Sequence, residues 1–508
     1  MSRLLAVLLT FHMLGTGGSA RADVAFAPVS LPVAHEYSGG WTHFVGGGVA
    51  VFDCDGDARP DLFAAGGSAP ALLLRNTSDE GAVSFETAAF PEIVETTGAY
   101  PFDVDGDDLL DLVVLRAGEN LLLRGDGTCQ FTPAPAAWNF DGGTEWTTAF
   151  SATFEAGQDW PTFVFGNYVD ETDPDGPFEA CDVNHLMRPA GRAFGPRQPL
   201  EPGFCALSML ISDWKRDGRP ELRISNDRQY YVSNGREQMF ALDPLREYTE
   251  ADGWPTMKLW GMGIASRDIT GDGLPEVALT SMGDQPLMLN RGQGVMEPAP
   301  YDMGTYATTP YMGDDGRPST GWQAQWGDVD NDGRDDLFIA KGNVDQMPSN
   351  AMADPNNLLM QQTDGRFVER GDTAGVGSVA RARGAALVDF DGDGLLDLVV
   401  NNRRAPLEVW QNVTEGAGHW LAVDLRQPGP NTRAIGAFIE VRSGDRLQTR
   451  EITSGGGHAS GTLGPEHFGL GAAEQAELRV IWPDGQTGDW QRVAADASVR
   501  ITRTGGEP

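Results

Sequence analysis

The stretch "DFDGDGLLDLVV", residues 389–400, joins regularly spaced carboxylates to a run of β-forming residues. Its carboxylates stand at positions 1, 3, 5 and 9 of a loop: Asp389, Asp391, Asp393 and Asp397. Calcium takes six to eight hard oxygen ligands, which closely spaced carboxylates supply. Gly394, at position 6, permits a sharp turn. The stretch therefore predicts a calcium loop, with a polar turn that binds nothing as the alternative for one copy.

The loop is not an EF-hand. An EF-hand places a bidentate Glu at position 12 between two helices, whereas position 12 here is Val400. The flanking segments are short and rich in β-formers, so we predict a loop between two strands, with Asp397 closing the site.

Repetition of the spacing favours metal binding over simple turns. Three further loops keep all four carboxylates: Asp53, Asp55, Asp57 and Asp61; Asp103, Asp105, Asp107 and Asp111; Asp328, Asp330, Asp332 and Asp336. A weaker site is expected at Asp268, Asp272 and Glu276, where Thr270 replaces the second carboxylate. In the loop from Asp213, Lys215 stands at that position, and its ammonium group could replace the ion by pairing with Asp213, Asp217 and Glu221.

The loops belong to a sequence repeat. A unit without loop carboxylates aligns with Phe154 and Thr162 at positions 1 and 9, which gives seven units starting 50 to 61 residues apart. Each unit has the content of four strands, as in one propeller blade. We predict an all-β fold: a seven-bladed β-propeller over residues 23–413, in which a strand at 24–30 completes the seventh blade. A small β-sandwich-like domain is expected over residues 414–508.

Composition predicts an exported protein. Residues 1–22 have a basic start, an apolar core and a small-residue cleavage site, so they are predicted to be a signal peptide. The net charge of −36 argues against nucleic acid and anionic membranes as partners. We expect a secreted, periplasmic or cell-surface monomer without membrane insertion, whose cofactor, calcium, stabilises the fold.

Four cysteines in an exported chain suit two disulfides. We expect Cys181 to pair with Cys205 across the insertion between units three and four, which leaves Cys54 to pair with Cys129. Free buried thiols are the alternative.

The chain resembles a known combination of domains. Loops of the form "DVDGDxxxDL" resemble FG-GAP/VCBS repeat propellers, the group of the integrin α-chain heads. The segments "NTRAIGAFIEVRSG", "REITSGGGHAS", "HFGLG" and "VIWPDG" resemble an ASPIC/UnbV domain, as in the cartilage acidic protein-like family. The resemblance implies a seven-bladed propeller with calcium between the first two strands of a blade. It supplies no enzymatic activity.

The resemblance places partners on the face opposite the metal loops, at the turns that lead into each blade. Six residues of these turns are candidate ligand-binding residues: Trp41, His43, Trp146, Trp260, Trp322 and Arg383. Such rings and an arginine around a central opening would suit a carbohydrate or peptide. Packing between blades is the alternative role. The first hypothesis is therefore an extracellular recognition or adhesion module.

Two other functions remain open. A polysaccharide hydrolase or lyase would need a free pair of carboxylates or a base beside the substrate, and the sequence has no catalytic motif, so we predict a non-enzymatic protein with no catalytic residue. His458 and His467 could bind a transition metal, although structural roles are the simpler interpretation. The third hypothesis is a structural spacer or matrix protein.

Overall fold

The computed structural model describes residues 22–174, 176, 180–227, 234–306 and 317–504. The predicted signal peptide, apart from Ala22, lies outside these residues. Short strands dominate the described chain because its β-forming runs are short and end at Gly, Asp or Pro turns. The described part contains one short α-helix, α1 (Gly371–Ala374), and four single-turn 3-10 helices: Trp41–His43, Ala136–Trp138, Glu250–Asp252 and Tyr301–Met303.

Seven antiparallel sheets follow one another along the described chain. After β1 (Phe26–Pro28), the first four sheets comprise β2 (Val49–Phe52), β3 (Asp61–Ala64), β4 (Leu72–Asn76), β5 (Phe85–Thr87); β6 (Thr96–Phe102), β7 (Asp111–Arg116), β8 (Leu121–Gly125), β9 (Phe131–Pro133); β10 (Thr147–Thr153), β11 (Thr162–Asn167), β12 (Asn184–Met187), β13 (Gln198–Leu200); and β14 (Ala206–Ser212), β15 (Glu221–Asn226), β16 (Gln238–Leu242), β17 (Leu245–Glu247).

The other three sheets comprise β18 (Gly261–Arg267), β19 (Glu276–Ser281), β20 (Leu287–Asn290), β21 (Met296–Pro298); β22 (Gly321–Gly327), β23 (Asp336–Lys341), β24 (Asn357–Gln361), β25 (Phe367–Glu369); and β26 (Ala382–Val388), β27 (Asp397–Asn402), β28 (Glu408–Asn412). In the last sheet β1 supplies the fourth strand, and Phe26 lies opposite Asn412.

The seven sheets form a closed ring. The first strand of each sheet contacts the first strand of the next, and β26 contacts β2. A ring of this kind leaves only short sheet edges, and apolar side chains between neighbouring sheets form its buried clusters. The predicted all-β, propeller-like architecture is confirmed.

The C-terminal domain, residues 419–502, consists of short strands in two small sheets. Its strands are β29 (His419–Arg426), β30 (Phe438–Ser443), β31 (Arg446–Glu451), β32 (Ser454–Gly455), β33 (Gly461–Leu463), β34 (Glu466–Gly471), β35 (Gln475–Ile481), β36 (Gln491–Ala494) and β37 (Ala497–Thr502). β34, β29 and β37 form one sheet, and β31, β30, β35 and β36 form the other.

Two strands of the C-terminal domain pair with the propeller instead of with their own sheets. β32 adds to β10 and β33 adds to β2, so residues 454–463, which we call the channel segment, run along the inner strands of the ring. Ala459 is fully buried there, against Gly48 and Gly98. Both glycines are required because a Cβ atom at either position would overlap the carbonyl oxygen of Ala459.

Candidate functional site

The four complete loops lie at one end of the ring, which we call the loop face. Each loop joins the first and second strands of its sheet and brings oxygens from three carboxylates within 4.8 Å of one another. The sets are Asp53, Asp55 and Asp57; Asp103, Asp105 and Asp111; Asp328, Asp330 and Asp332; Asp389, Asp391 and Asp397.

The loop backbone fixes the first carboxylate of each set. In the loop of the seventh sheet, Asp389 accepts hydrogen bonds from the N–H groups of Gly392 (2.8 Å) and Gly394 (2.9 Å). Position 6 has a positive φ even without glycine, at +69° in Ala58 and +68° in Asp108. The left-handed turn is thus a property of the loop rather than of one residue type.

The carboxylate at position 9 has a second role that the sequence did not reveal. Asp61 accepts 2.8 Å hydrogen bonds from the backbone N–H groups of both Cys54 and Asn76, and so joins the loop to the third strand. Its counterparts Asp111, Asp336 and Asp397 accept the equivalent pairs. The sequence holds one signal for this second role. The position-9 residue begins the second strand of its blade, where a side chain is expected to be buried.

The electrostatics of the loops favour a bound cation. Burial raises the pKa of Asp61 to about 7, of Asp111 to about 8 and of Asp389 to about 7, and neighbouring loop carboxylates raise these pKa values further. Oδ1 of Asp105 is buried and has no hydrogen-bond partner. Hard oxygens converging at this distance fit calcium. Arginine side chains neutralise part of the charge, as in the Arg75–Asp55 and Arg124–Asp105 ion pairs (2.6 and 2.9 Å).

The other three sheets differ from this arrangement. Among the described residues, the loop from Asp268 does not bring three such oxygens together. In the fourth sheet, Lys215 pairs with Glu221, whereas Asp213 accepts hydrogen bonds from the N–H groups of its own loop. In the third sheet, Phe154 stacks on Phe102 with 5.7 Å between the ring centroids.

The C-terminal domain covers the loop face. Thr432 donates a hydrogen bond to Asp103, and Arg450 pairs with Asp335 at 2.9 Å. Glu451 accepts hydrogen bonds from the backbone N–H of Asp213 and from the Ser212 hydroxyl, and burial raises the pKa of Glu451 to about 8. The domain therefore contacts loops with and without a complete carboxylate set.

A cavity of about 570 Å³ lies between the loop face and the C-terminal domain. Both domains line it, and Trp420 and Ser498 belong to its C-terminal wall. Its arginines are ion-paired within the protein, for example Arg267 with Glu466 at 3.3 Å.

We call the opposite end of the ring the open face. Side chains pack together there, at the place where a central opening was predicted. Trp322 is fully buried, with the Arg383 guanidinium 4.0 Å from its ring centroid and the His458 ring 4.9 Å away. Trp146 and His43 are 3% exposed, and Trp260 is half-buried. Of the six candidate ligand residues, Trp41 is the exposed one, at 47%. The predicted ring around a central opening is therefore mostly a packed cluster.

The two histidines considered as ligands of a transition metal, His458 and His467, lie in separate environments. His458, in the channel segment, is fully buried; its Nε2 accepts from the Gly46 N–H at 3.0 Å, and its Nδ1 lies 3.2 Å from the Met262 oxygen. Nε2 of His467 lies 3.1 Å from the carbonyl oxygen of Gly394. Within the described part of the chain, neither histidine joins a cluster of metal-binding side chains, and both have structural contacts.

The structure forms two disulfides. Cys54–Cys129 connects the first two sheets, and Cys181–Cys205 ties the insertion to the start of the fourth sheet. Disulfides of this kind are typical of extracellular proteins. Among the described residues, no helix has the length and apolar character needed to cross a membrane.

Comparison with known sequence families defines the class of protein. The FG-GAP-like repeat family matches residues 53–114, 268–339 and 328–400, and the ASPIC and UnbV family matches residues 427–508. The chain is thus a repeat protein of the FG-GAP-like kind that carries a C-terminal ASPIC and UnbV domain, and the resemblance predicted from its motifs is confirmed.

Individual relatives match over a smaller part of the chain. Cartilage acidic protein 1 of Xenopus tropicalis is 36% identical over 111 residues, which are 21% of this chain and 17% of that protein. The Mus musculus protein is 35% identical over 117 residues, with the same coverage. The chain thus spans less than a fifth of these relatives' length. Among solved structures, the BBS1N chain in a complex with ARL6DN has a TM-score of 0.45 at 11% identity, and the match covers 77% of this chain and 98% of that one.

Proposed function

We propose that the protein is an exported, calcium-stabilised recognition module that binds an extracellular carbohydrate or protein through its open face, without catalysis. The propeller of residues 23–413 is the binding platform, and residues 414–508 cap its loop face. The observation that carries the proposal is the filling of the ring: the C-terminal domain covers the loops and the channel segment occupies the interior. Because the loop face and the interior are occupied, a macromolecular partner binds at the open face, where Trp41 is half exposed.

Calcium holds the platform rigid in this proposal. Each of the four loops from Asp53, Asp103, Asp328 and Asp389 holds one ion through its clustered carboxylates. When bound, the ion supplies positive charge that offsets the repulsion between these groups. The position-9 carboxylates keep the loops tied to the third strands, so ligand groups stay in place around the ion.

Metal content and binding test the two parts separately. Mass spectrometry of the mature protein should find about four calcium ions per chain. Lys215→Asp, which gives the fourth loop a complete carboxylate set, should add one ion, whereas Asp391→Lys should remove one. A chain that retains no calcium after dialysis against micromolar calcium contradicts the stabilising role.

An array of extracellular glycans and proteins, probed with the calcium-loaded protein, tests recognition. Trp41→Ala should abolish the signals, while Tyr301→Ala, at a position 80% exposed, should leave them unchanged. Ser498→Trp narrows the cavity under the C-terminal domain and serves as a second control. Signals that survive Trp41→Ala but disappear in Ser498→Trp would place the binding site in the cavity and reject the open face.

A further inference from the structure

Three arginines on the open face share one carboxylate. Asp345 lies 3.4 Å from Arg381, 3.2 Å from Arg403 and 3.4 Å from Arg404. Within this group of four described residues, three positive charges against one negative charge leave an excess of two positive charges, in a chain whose net charge is −36. An aspartate shared at these distances cannot neutralise all three guanidinium groups, because one carboxylate matches one bidentate arginine.

Two of these three arginines hold the turn that presents Trp41. Arg404 donates to the carbonyl oxygen of Gly39 at 2.8 Å, and Arg403 donates to that of Gly40 at 3.3 Å. The tryptophan ring packs on Phe44, with 4.7 Å between the centroids, and remains 47% exposed. An exposed aromatic ring and an excess of guanidinium charge therefore belong to one surface. We call Trp41, Arg381, Arg404 and Asp345 the Trp41 patch.

Buried charge beneath the patch adds to its positive potential. Arg383 is fully buried and donates its hydrogen bonds to backbone carbonyl groups, those of Phe44 and Val344 among them. Arg403, which is already counted among the three arginines around Asp345, is also fully buried, and its Nε has no hydrogen-bond partner. Buried guanidinium groups whose charge is not fully matched by contacting carboxylates attract anions at the surface above them, since burial reduces screening.

We propose that the Trp41 patch binds an anionic saccharide. The carboxylate or sulfate group of the sugar accepts hydrogen bonds from Arg381 and Arg404, and the sugar ring lies against the indole of Trp41. This inference rests on the proposed function and names the ligand class of the open face. Arg381 and Arg404 are suited to the contact because both are partly exposed, with side chains 28% and 41% accessible.

Two acidic groups contact the residues that follow Trp41 and restrict the orientation of a bound sugar. Glu171 accepts a hydrogen bond from Thr42 at 3.4 Å, and Glu95 lies 3.2 Å from the His43 ring nitrogen. The anionic group of the sugar must therefore lie on the arginine side of the indole. A saccharide is favoured over an acidic peptide because its ring offers a C–H face to the exposed indole while its charge is confined to one substituent.

Titration with defined oligosaccharides tests the inference. The probes are oligogalacturonate, a sulfated galactan oligosaccharide, neutral dextran and poly-glutamate, each added to the calcium-loaded full chain. We expect the two charged saccharides to bind, more weakly as NaCl rises from about 50 to about 300 mM, and dextran and poly-glutamate not to bind. Arg404→Gln and Trp41→Ala should each weaken saccharide binding at least tenfold.

Matched variants make the test specific. Arg366→Gln removes an arginine whose side chain is 59% exposed elsewhere on the surface, and Tyr301→Ala removes another exposed ring; both should bind like the parent protein. Equal binding of dextran, or poly-glutamate binding that Trp41→Ala does not change, overturns the inference. A third outcome would also overturn the inference: array ligands whose binding is abolished by Trp41→Ala but unchanged by Arg404→Gln and by salt. That outcome would still support recognition at the open face.

Discussion

The C-terminal domain is attached to the propeller in two places that use opposite chemistry. At the loop face the contacts are polar and charged, as in the Arg450–Asp335 pair and the Thr432–Asp103 hydrogen bond. Inside the ring, the channel segment is held by strand pairing, close backbone approach and an uncharged imidazole. The first attachment depends on the charge state of the loops, and the second depends on shape.

The two attachments therefore have different requirements: the loops need their negative charge to be neutralised, and the channel segment needs space for its backbone. The loops concentrate carboxylates that repel one another unless a cation is present. The channel requires glycine at Gly48 and Gly98, because any side chain there would overlap Ala459. Removing calcium should therefore affect the attachment at the loop face, whereas adding a side chain in the channel or lowering the pH should affect the attachment inside the ring.

Removal of calcium should have the largest effect. If each of four ions is present at about 100 times its dissociation constant, binding contributes about 2.7 kcal/mol per site, or about 11 kcal/mol in total. Because the entropy of unfolding grows with chain length, EDTA should lower the melting temperature of this long chain by about 10 °C in differential scanning calorimetry. Magnesium, which demands a smaller octahedral site, should restore little of this loss. An unchanged melting temperature in EDTA would mean that the loops act only as turns.

Gly48→Val should have the second largest effect and should act on the channel. The new side chain would overlap the backbone of Ala459, so the channel segment must move and lose its pairing with β2. We expect a loss of about 3 kcal/mol, of the size found for overpacked cores, and faster hydrogen exchange over residues 454–463.

Gly464→Val is the matched control for this substitution. Gly464 is exposed, its φ is not in the left-handed region, and no atom lies within 4 Å of the place that a Cβ atom would occupy. If Gly464→Val destabilises the protein as much as Gly48→Val, close packing of the channel segment is not the cause.

The sequence predicted the loop attachment far better than the channel attachment. Carboxylates at Asp53, Asp103, Asp328 and Asp389 repeat at a fixed spacing, so their loops and the repeated sheets could be predicted. The channel segment "SGGGHASGTL" contains no periodic apolar pattern, and its partners are more than 300 residues away for Ser151 and more than 400 for Val49. Such pairing follows from tertiary geometry, which local propensity does not encode.

The open face was predicted only in part for the same reason. Aromatic residues at the turns before each blade suggested a ligand ring, but side-chain type alone does not distinguish packing from exposure. Trp146 and Trp322 are buried against other rings, whereas Trp41 begins a single-turn helix and is 47% exposed. The arginine cluster around Asp345 combines residues from two sheets and has no signature in the linear sequence.

Acid should weaken the channel attachment relative to neutral conditions. Burial lowers the pKa of His458 to about 3, and the nearby Arg383 lowers it further. The folded protein holds this imidazole neutral, whereas the unfolded chain takes up a proton below about pH 6.5. The stability that the neutral imidazole contributes is therefore fully present above about pH 6.5 and is lost as the pH falls toward about 3, by about 2 kcal/mol at pH 5.

Comparison with a variant that lacks the imidazole isolates this effect. His458→Gln should be less stable than the parent at pH 7.5, because it loses the contact with the Gly46 N–H, but the difference should shrink by pH 5. Urea unfolding at both pH values, with saturating calcium, measures it. A constant difference between the two proteins would show that another group causes the acid sensitivity.

The smallest predicted effect concerns the backbone of the loops themselves. Ala58 adopts a φ of +69°, a conformation that costs an L-residue about 1 kcal/mol relative to glycine. Ala58→Gly should stabilise the protein by about 0.5 kcal/mol, since the greater freedom of glycine in the unfolded chain offsets part of the gain. The reverse change, Gly56→Ala at a φ of +77° with open space around it, should destabilise by a similar amount. Both shifts should appear in urea unfolding with and without calcium, because they act on the turn and not on the ligands. A shift present only with calcium would show that the metal, and not the chain, holds this turn in its left-handed conformation.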